Sequence, residues 1–447
     1  MRSRVTRRAP GPNGLRDEQS GEIYYWWLLV ALFFEYARPA SFLPGLGVLK
    51  LNSLIPLSLL AAVLLAKGFR PFGEIYQDRG SRWLTAYLGL MVISIPLAAV
   101  PRYSIDKFTG ALGYFFLFLI ISRVVTSFRR LYGVFAVLIF SHLFLIVMSP
   151  EIIFRTDVRS YIKGGTFLGD GNDFGLSICI LLPMAIGIAQ RARSRLMKLV
   201  MWASFVVLLL AIVGTQSRGA TLGLIAMAAF FWLTSKRKFA SMLGILAVGA
   251  IVTFHASGTY FSRMSTIGNY TADESAEGRI IAWKASVRMA RDNPLFGVGL
   301  GNFPTEFGSK YRPKDRAMPW MTAHSTYFLV LGELGPPGLV VLLVLVVGAV
   351  PATLRVRRRI IAASAKQPSA TADDASRTLY LLVGSVIGFA VPGAFLSAAY
   401  YPHLFVLTGV LVSARCIASR EIPVGAATAE GKQRAPVRHH RQARIPG

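Results

Sequence analysis

Long apolar runs recur along the whole chain, and they leave few folds open. Leu57–Leu65, Val206–Val213 and Leu339–Val347 are too apolar to face water. A helix needs about 20 mostly apolar residues to cross the hydrocarbon core. Only helices and closed barrels satisfy their own backbone hydrogen bonds there. The runs are continuous rather than alternating, so helices are expected. Spans are placed at about 23–37, 51–66, 83–100, 108–122, 131–149, 173–190, 198–213, 219–234, 239–256, 324–354, 379–398 and 402–416. The tenth is broken near Gly335-Pro336-Pro337. The expected fold is an all-α polytopic membrane protein with about twelve transmembrane helices. Composition agrees, with 53% apolar residues, 16% charged residues and a mean hydropathy of +0.50.

A net charge of +27 raises the question of nucleic acid. Its distribution answers otherwise. An even number of spans puts both termini on one side, and 32 of the 49 basic residues fall there. Of the other 17, nine lie in one long connector, leaving eight in the short ones. The positive-inside rule therefore puts the termini in the cytoplasm and the long connector outside. The basicity is topogenic, and no nucleic-acid partner is expected. Met1 to Gly21 is polar and basic, and the first apolar run carries Glu35 and Arg38, which suits a retained span. Cys179 and Cys416 cannot build a disulfide framework or a metal site, and no HExxH motif occurs. Neither metal nor cofactor is expected.

The expected organisation is a basic cytoplasmic arm at 1–22, nine spans within 23–256, an external loop domain at 257–322, three spans within 323–416, and a basic tail at 417–447. The large external loop thus lies between spans 9 and 10. Within it, Arg279 to Asp292 reads as a helix, followed by Asn293-Pro294 and the glycine-rich Gly297–Asn302. On a helical projection Lys284, Arg288, Arg291 and Asp292 form a polar sector. Met289, Ala282, Ala290, Trp283, Val287 and Ile280 fill most of the rest, with Arg279 near their middle. An arginine in an apolar sector needs an anionic partner or an exit to water. Snorkelling from the first turn would supply the exit.

Other residues invite chemistry on the same side. Arg218 sits in Thr215-Gln216-Ser217-Arg218-Gly219-Ala220, a short external turn where arginine is disfavoured. A guanidinium binds phosphate oxygens as a two-pronged fork. It also serves as an interfacial anchor. His324 follows the long loop at the mouth of a span, where imidazole can take a proton at neutral pH. A hydrogen-bonded interfacial histidine would sit there too. Glu333 lies inside an apolar segment, where a carboxylate is a functional candidate, or a partner of the break at Pro336.

These motifs, in this order, resemble the O-antigen ligase / O-antigen polymerase superfamily of bacterial envelope glycan enzymes. The resemblance rests on Thr215–Ala220, on Gly278-Arg279 followed by Trp283, on Asp292–Gly299, and on His324 preceding Glu333-Leu334-Gly335. It covers roughly 165–345 in detail. It implies a GT-C-like fold in which the long loop caps an outward cavity. It also implies transfer of a glycan from undecaprenyl diphosphate to a hydroxyl, without nucleotide sugar or required metal. The expected acceptor is a lipid A core or a second lipid-linked glycan. On this resemblance the expected catalytic residues are His324, Arg279 and Arg218. Arg218, Arg279, Arg288, Trp283 and Glu333 are the expected substrate contacts. One position departs, since many members carry Asn where this chain has Ser325. Ligase and exopolysaccharide or O-antigen polymerase differ in acceptor, and the residues leave both open. A small-anion transporter should line several spans with charge near mid-depth. Here the unusual polar residues cluster on the outer side.

Overall fold

The structure, a computed structural model, describes residues 12–43, 55, 58–63, 70–164, 167–265, 274–314 and 318–420. The described residues are helical throughout, with no strand among them. The helices are α1 (Pro12–Ala37), α2 (Phe72–Gln77), α3 (Arg79–Ser94), α4 (Pro101–Val124), α5 (Phe128–Met148) and α6 (Glu151–Phe154). There follow α7 (Gly171–Arg191), α8 (Arg195–Thr215), α9 (Arg218–Thr234), α10 (Lys238–His255), α11 (Gly258–Ser265) and α12 (Glu274–Asp292). The chain continues with α13 (Phe303–Glu306), a π-turn at Phe307–Tyr311, α14 (Thr326–Val346), α15 (Ala349–Lys366), α16 (Ala370–Gly393) and α17 (Pro402–Arg420).

Among the described residues, eight helical segments are long and apolar enough to span a membrane. They are α4, α5, α7, α8, α10, α14 running into α15, α16 and α17. The protein is an all-helical polytopic membrane protein. Helix α9 is a shorter apolar helix, and α3 has only 16 residues. Helix α1 begins at Pro12, well before the expected first span. Most of the expected second span (51–66), residues 1–11 of the expected arm, and 421–447 of the expected tail lie outside the described residues.

Among the described residues, seven helices begin at a capping side chain. Side chains of Asp78, Ser127, Asp170, Ser194, Ser217, Ser325 and Ser369 each accept a backbone N–H from the first turn of the helix that follows. Such caps satisfy donors that no intrahelical carbonyl can reach. Helices α7 and α17 form the centre, with 83% and 89% of their spanning windows buried, whereas α10 buries none of its own. Close approach around α7 depends on glycine. A Cβ at Gly175 would come within 2.8 Å of Ala220, and one at Gly223 within 2.6 Å of Pro392.

One joint fixes the long loop before α14 to the bundle. Helix α14 breaks at Gly335, whose φ of 67° is open to glycine at little cost. The carbonyls of Gly332 and Glu333 would normally accept from residues 336 and 337. Both are proline and have no N–H. The loop supplies the missing donors. Val298 N donates to Gly332 O at 2.9 Å and Gly299 N to Glu333 O at 3.0 Å. Gly297, Gly299 and Gly301 all have positive φ, which lets the loop backbone lie against the helix. The other edge of the loop meets the start of α4. Ala99 N donates to Val298 O, Val100 N to Asn302 Oδ1, and Ser104 Oγ to Leu300 O.

Candidate functional site

The turn between α8 and α9 is two residues long. Gln216 takes the left-handed conformation (φ 48°) as the C-cap of α8, and Ser217 caps α9. Arg218 is therefore the first residue of α9, at the positive end of its dipole. The connector after α6 is clamped across this turn. Gln216 Nε2 donates to Thr156 O at 2.9 Å, and Ser160 N donates to Gly214 O at 3.2 Å. Arg159 lies in this connector. Its Nη2 reaches both oxygens of Asp170 at 2.9 and 3.0 Å, while Asp170 also caps α7.

Two further arginines arrive from the external segment. Tyr260 on α11 shares a 3.0 Å hydrogen bond with Thr221 on α9, which brings Arg263 over the same ground. Helix α12 packs along α14 and buries Ala282, Ser286 and Met289 on one stripe. Arg279 lies at the upstream end of that stripe and is half-buried. Val287, placed with the apolar sector on the projection, is instead exposed.

The result is a cleft of about 410 Å³, open to solvent. Arg159, Arg218, Arg263 and Arg279 line it, together with Asn172 and Ser217 at the starts of α7 and α9. The far wall comes from Pro392, Phe395 and Leu396 after α16. Among the described residues no carboxylate lines it, though Asp170 pairs with Arg159 at 2.9 Å. Helix N-termini and forked guanidinium groups both favour phosphate oxygens.

His324 stands at the edge of this cleft rather than in its lining. Its backbone is left-handed (φ 48°), unusual for a residue with a side chain. Neighbours hold it there. Trp283 Nε1 donates to Ala323 O at 3.0 Å, and the indole stacks on Phe328 at 5.0 Å. On the other side Thr322 Oγ1 donates to Ser397 Oγ, and Thr326 Oγ1 donates to Leu396 O. Ser325 caps α14. Serine and asparagine are both good N-caps, so this departure from the family pattern preserves the local geometry. Burial lowers the affinity of the imidazole for a proton, and the charges of Arg279 and Arg159 lower it further against the opposing pull of Asp170. The ring is held below its usual pKa, which favours the neutral form that a base requires.

Arg218 and Arg279 thus meet in one cleft, with Trp283 and His324 beside it. Arg288 and Glu333 go elsewhere. Arg288 is exposed, donates to Tyr311 O and lies over the Tyr311 ring, bracing the π-turn. Glu333 is buried, and its Oε1 accepts from Phe303 N at 3.0 Å. That contact explains the carboxylate as part of the loop joint. Arg159 and Arg263 were not singled out by the sequence motifs. Their signal was the one that marked Arg218, an arginine on the side that the charge count assigns to the exterior. Among the described residues no three His, Cys, Asp or Glu side chains gather as a metal site. His142 is buried in packing, with Nδ1 against Leu138 O and Nε2 against Ser177 Oγ.

Fold and cleft together define a polytopic membrane protein that gathers cationic side chains at one end of its helices. Residues 203–343 match the family model described as O-antigen ligase, consistent with the O-antigen ligase/polymerase superfamily. The match begins within α8 and ends within α14, and it takes in Arg218, Arg263, Arg279, Trp283 and His324. No curated protein matches the chain.

Proposed function

We propose that this protein is a membrane glycosyltransferase that moves a glycan from undecaprenyl diphosphate to a hydroxyl acceptor. The observation that carries the reading is the convergence of four arginines at two helix N-termini, beside His324, around the segment similar to O-antigen ligase. The donor's leaving group is a lipid diphosphate. Arg218 and Arg279 hold it as forked donors, and Arg263 lines the same cleft, while Arg159 is ion-paired with Asp170. As the anomeric C–O bond breaks, its electron pair passes to the diphosphate, where fixed charges stabilise it most. His324 accepts the proton of the acceptor hydroxyl while that oxygen bonds to the anomeric carbon. Direct displacement inverts the anomeric configuration. Trp283 positions His324 through Ala323. The residues assign no step to a metal, and EDTA should leave the rate unchanged.

The setting in this reading is a bacterial cytoplasmic membrane, with the cleft outward and the termini cytoplasmic. Reporter fusions at about residue 300 should read external, and those near 195 and 365 cytoplasmic. The deciding assay supplies purified undecaprenyl-diphosphate glycan with either lipid A core or a second lipid-linked glycan. Transfer to the core identifies a ligase, and chain growth a polymerase. Transfer to neither would remove the proposal.

A further inference from the structure

A second arginine-bearing hollow lies at the opposite end of the bundle. Its volume is about 660 Å³, larger than the outer cleft. It opens between the first turn of α3, the junction of α14 with α15, and the last turns of α17. These ends point away from the external loop. The other end of α3 is the one that meets the loop, through Leu300 N on Ser94 Oγ. The walls are apolar, formed by Trp83, Val344, Leu345 and Leu411. Arg79 and Arg355 are exposed at the rim, and among the described residues neither has an ion-pair partner.

Arg415 forms the floor and is spoken for. Its Nε and Nη2 each reach Asp78 at 2.7 Å, and Nη1 reaches Thr353 Oγ1 at 3.1 Å. Asp78 in turn caps α3 through Gly80 N at 2.7 Å. The buried charge is thus neutralised, while the rim keeps two guanidinium groups beside a helix N-terminus. Rim charge of this kind attracts an anionic headgroup, and the helix end favours its phosphate. The apolar walls suit an acyl chain, which inorganic phosphate lacks. Tryptophan at this level is a common membrane-interface residue.

We propose that this hollow binds an anionic phospholipid, with Arg79 and Arg355 on the phosphate and an acyl chain against Trp83, Leu345 and Leu411. The site is separate from the glycan-transfer cleft and does not depend on that reading.

The test uses the full chain, purified in neutral detergent and delipidated. Dioleoyl-phosphatidylglycerol is titrated in, and native mass spectrometry counts the adducts. Wild type should retain phosphatidylglycerol at concentrations where dioleoyl-phosphatidylethanolamine does not bind. Each rim arginine removed should weaken binding about fivefold, and Arg79→Ala/Arg355→Ala together roughly 25-fold. Ala352→Trp keeps the charge but fills the hollow, and it should remove the same adduct. Lipid held at the outer cleft would be untouched by either variant. Equal binding of phosphatidylethanolamine, displacement by inorganic phosphate at matching concentration, or adducts surviving both variants would each overturn the assignment.

Discussion

The two arginine-bearing hollows use the same residue type in different ways. Between α3, α15 and α17, two exposed arginines stand at a rim, and only the shape and apolar walls of the cavity mark a site. At the opposite end of the bundle, four converge from four separate segments onto one cleft. No helical repeat or local spacing unites Arg159, Arg218, Arg263 and Arg279. Arginine that gathers from separate segments onto one cleft is the stronger sign of a ligand, because local sequence spacing supplies no other reason for it.

The comparison is sharpest in its consequences for transfer. His324→Ala and His324→Gln should lower turnover about 10²–10⁴-fold while leaving donor binding intact. Single-turnover transfer and donor binding, measured together on monodisperse protein, check this. Near-normal turnover would take the histidine out of the reaction. Next in size, Arg218→Lys and Arg279→Lys should each cost roughly 10–100-fold in kcat/KM, since charge remains but the fork is lost. Arg79→Ala and Arg355→Ala at the other hollow should leave transfer in detergent unchanged. Equal losses at both ends would erase the distinction between the hollows.

A smaller effect separates catalysis from architecture. Glu333→Gln keeps an acceptor for Phe303 N but removes the charge, and it should destabilise the protein by about 1–3 kcal/mol. Thermal unfolding should show this as a lower Tm, with transfer by the folded fraction preserved. A selective loss of transfer would return Glu333 to the site. Smallest is a shift along the pH axis. The pKa of His324 is lowered, so the base stays neutral further into acid. The acidic limb of kcat/KM should therefore fall below the usual imidazole range. Arg279 lowers that pKa, so removing its charge lets the ring bind a proton more readily. In the residual activity of Arg279→Ala, the limb should move to higher pH. A limb that stays put would mean that His324 does not set it.

Much of the architecture was legible in the order of residues. Apolar run length marked the spans. Twelve spans were expected where eight described segments meet the length and apolarity of a crossing. Of the expected spans not among them, two correspond to the short helices α3 and α9, one lies within α1, and most of another lies outside the described residues. Arg218, Arg279 and His324 were legible because each sat at an improbable place for its type. Arg288 and Glu333 were equally improbable on paper. Their partners, Tyr311 O and Phe303 N, are backbone groups, and backbone groups leave no trace in a sequence pattern.

By itself the sequence determined the helical class and the break at Gly335-Pro336-Pro337, and it set an expectation for the sidedness of charge. These follow from local chemistry: hydrophobic length, the cost of moving cations across a bilayer, and the missing N–H of proline. Only the tertiary structure decided what answers the break. The carbonyls of Gly332 and Glu333 are met by Val298 and Gly299, more than thirty residues away. The same docking holds α12 along α14, which brings Arg279 to Arg218 and His324 to the edge of the cleft. Separate segments come together there because the unsatisfied backbone groups of one can be satisfied only by the other.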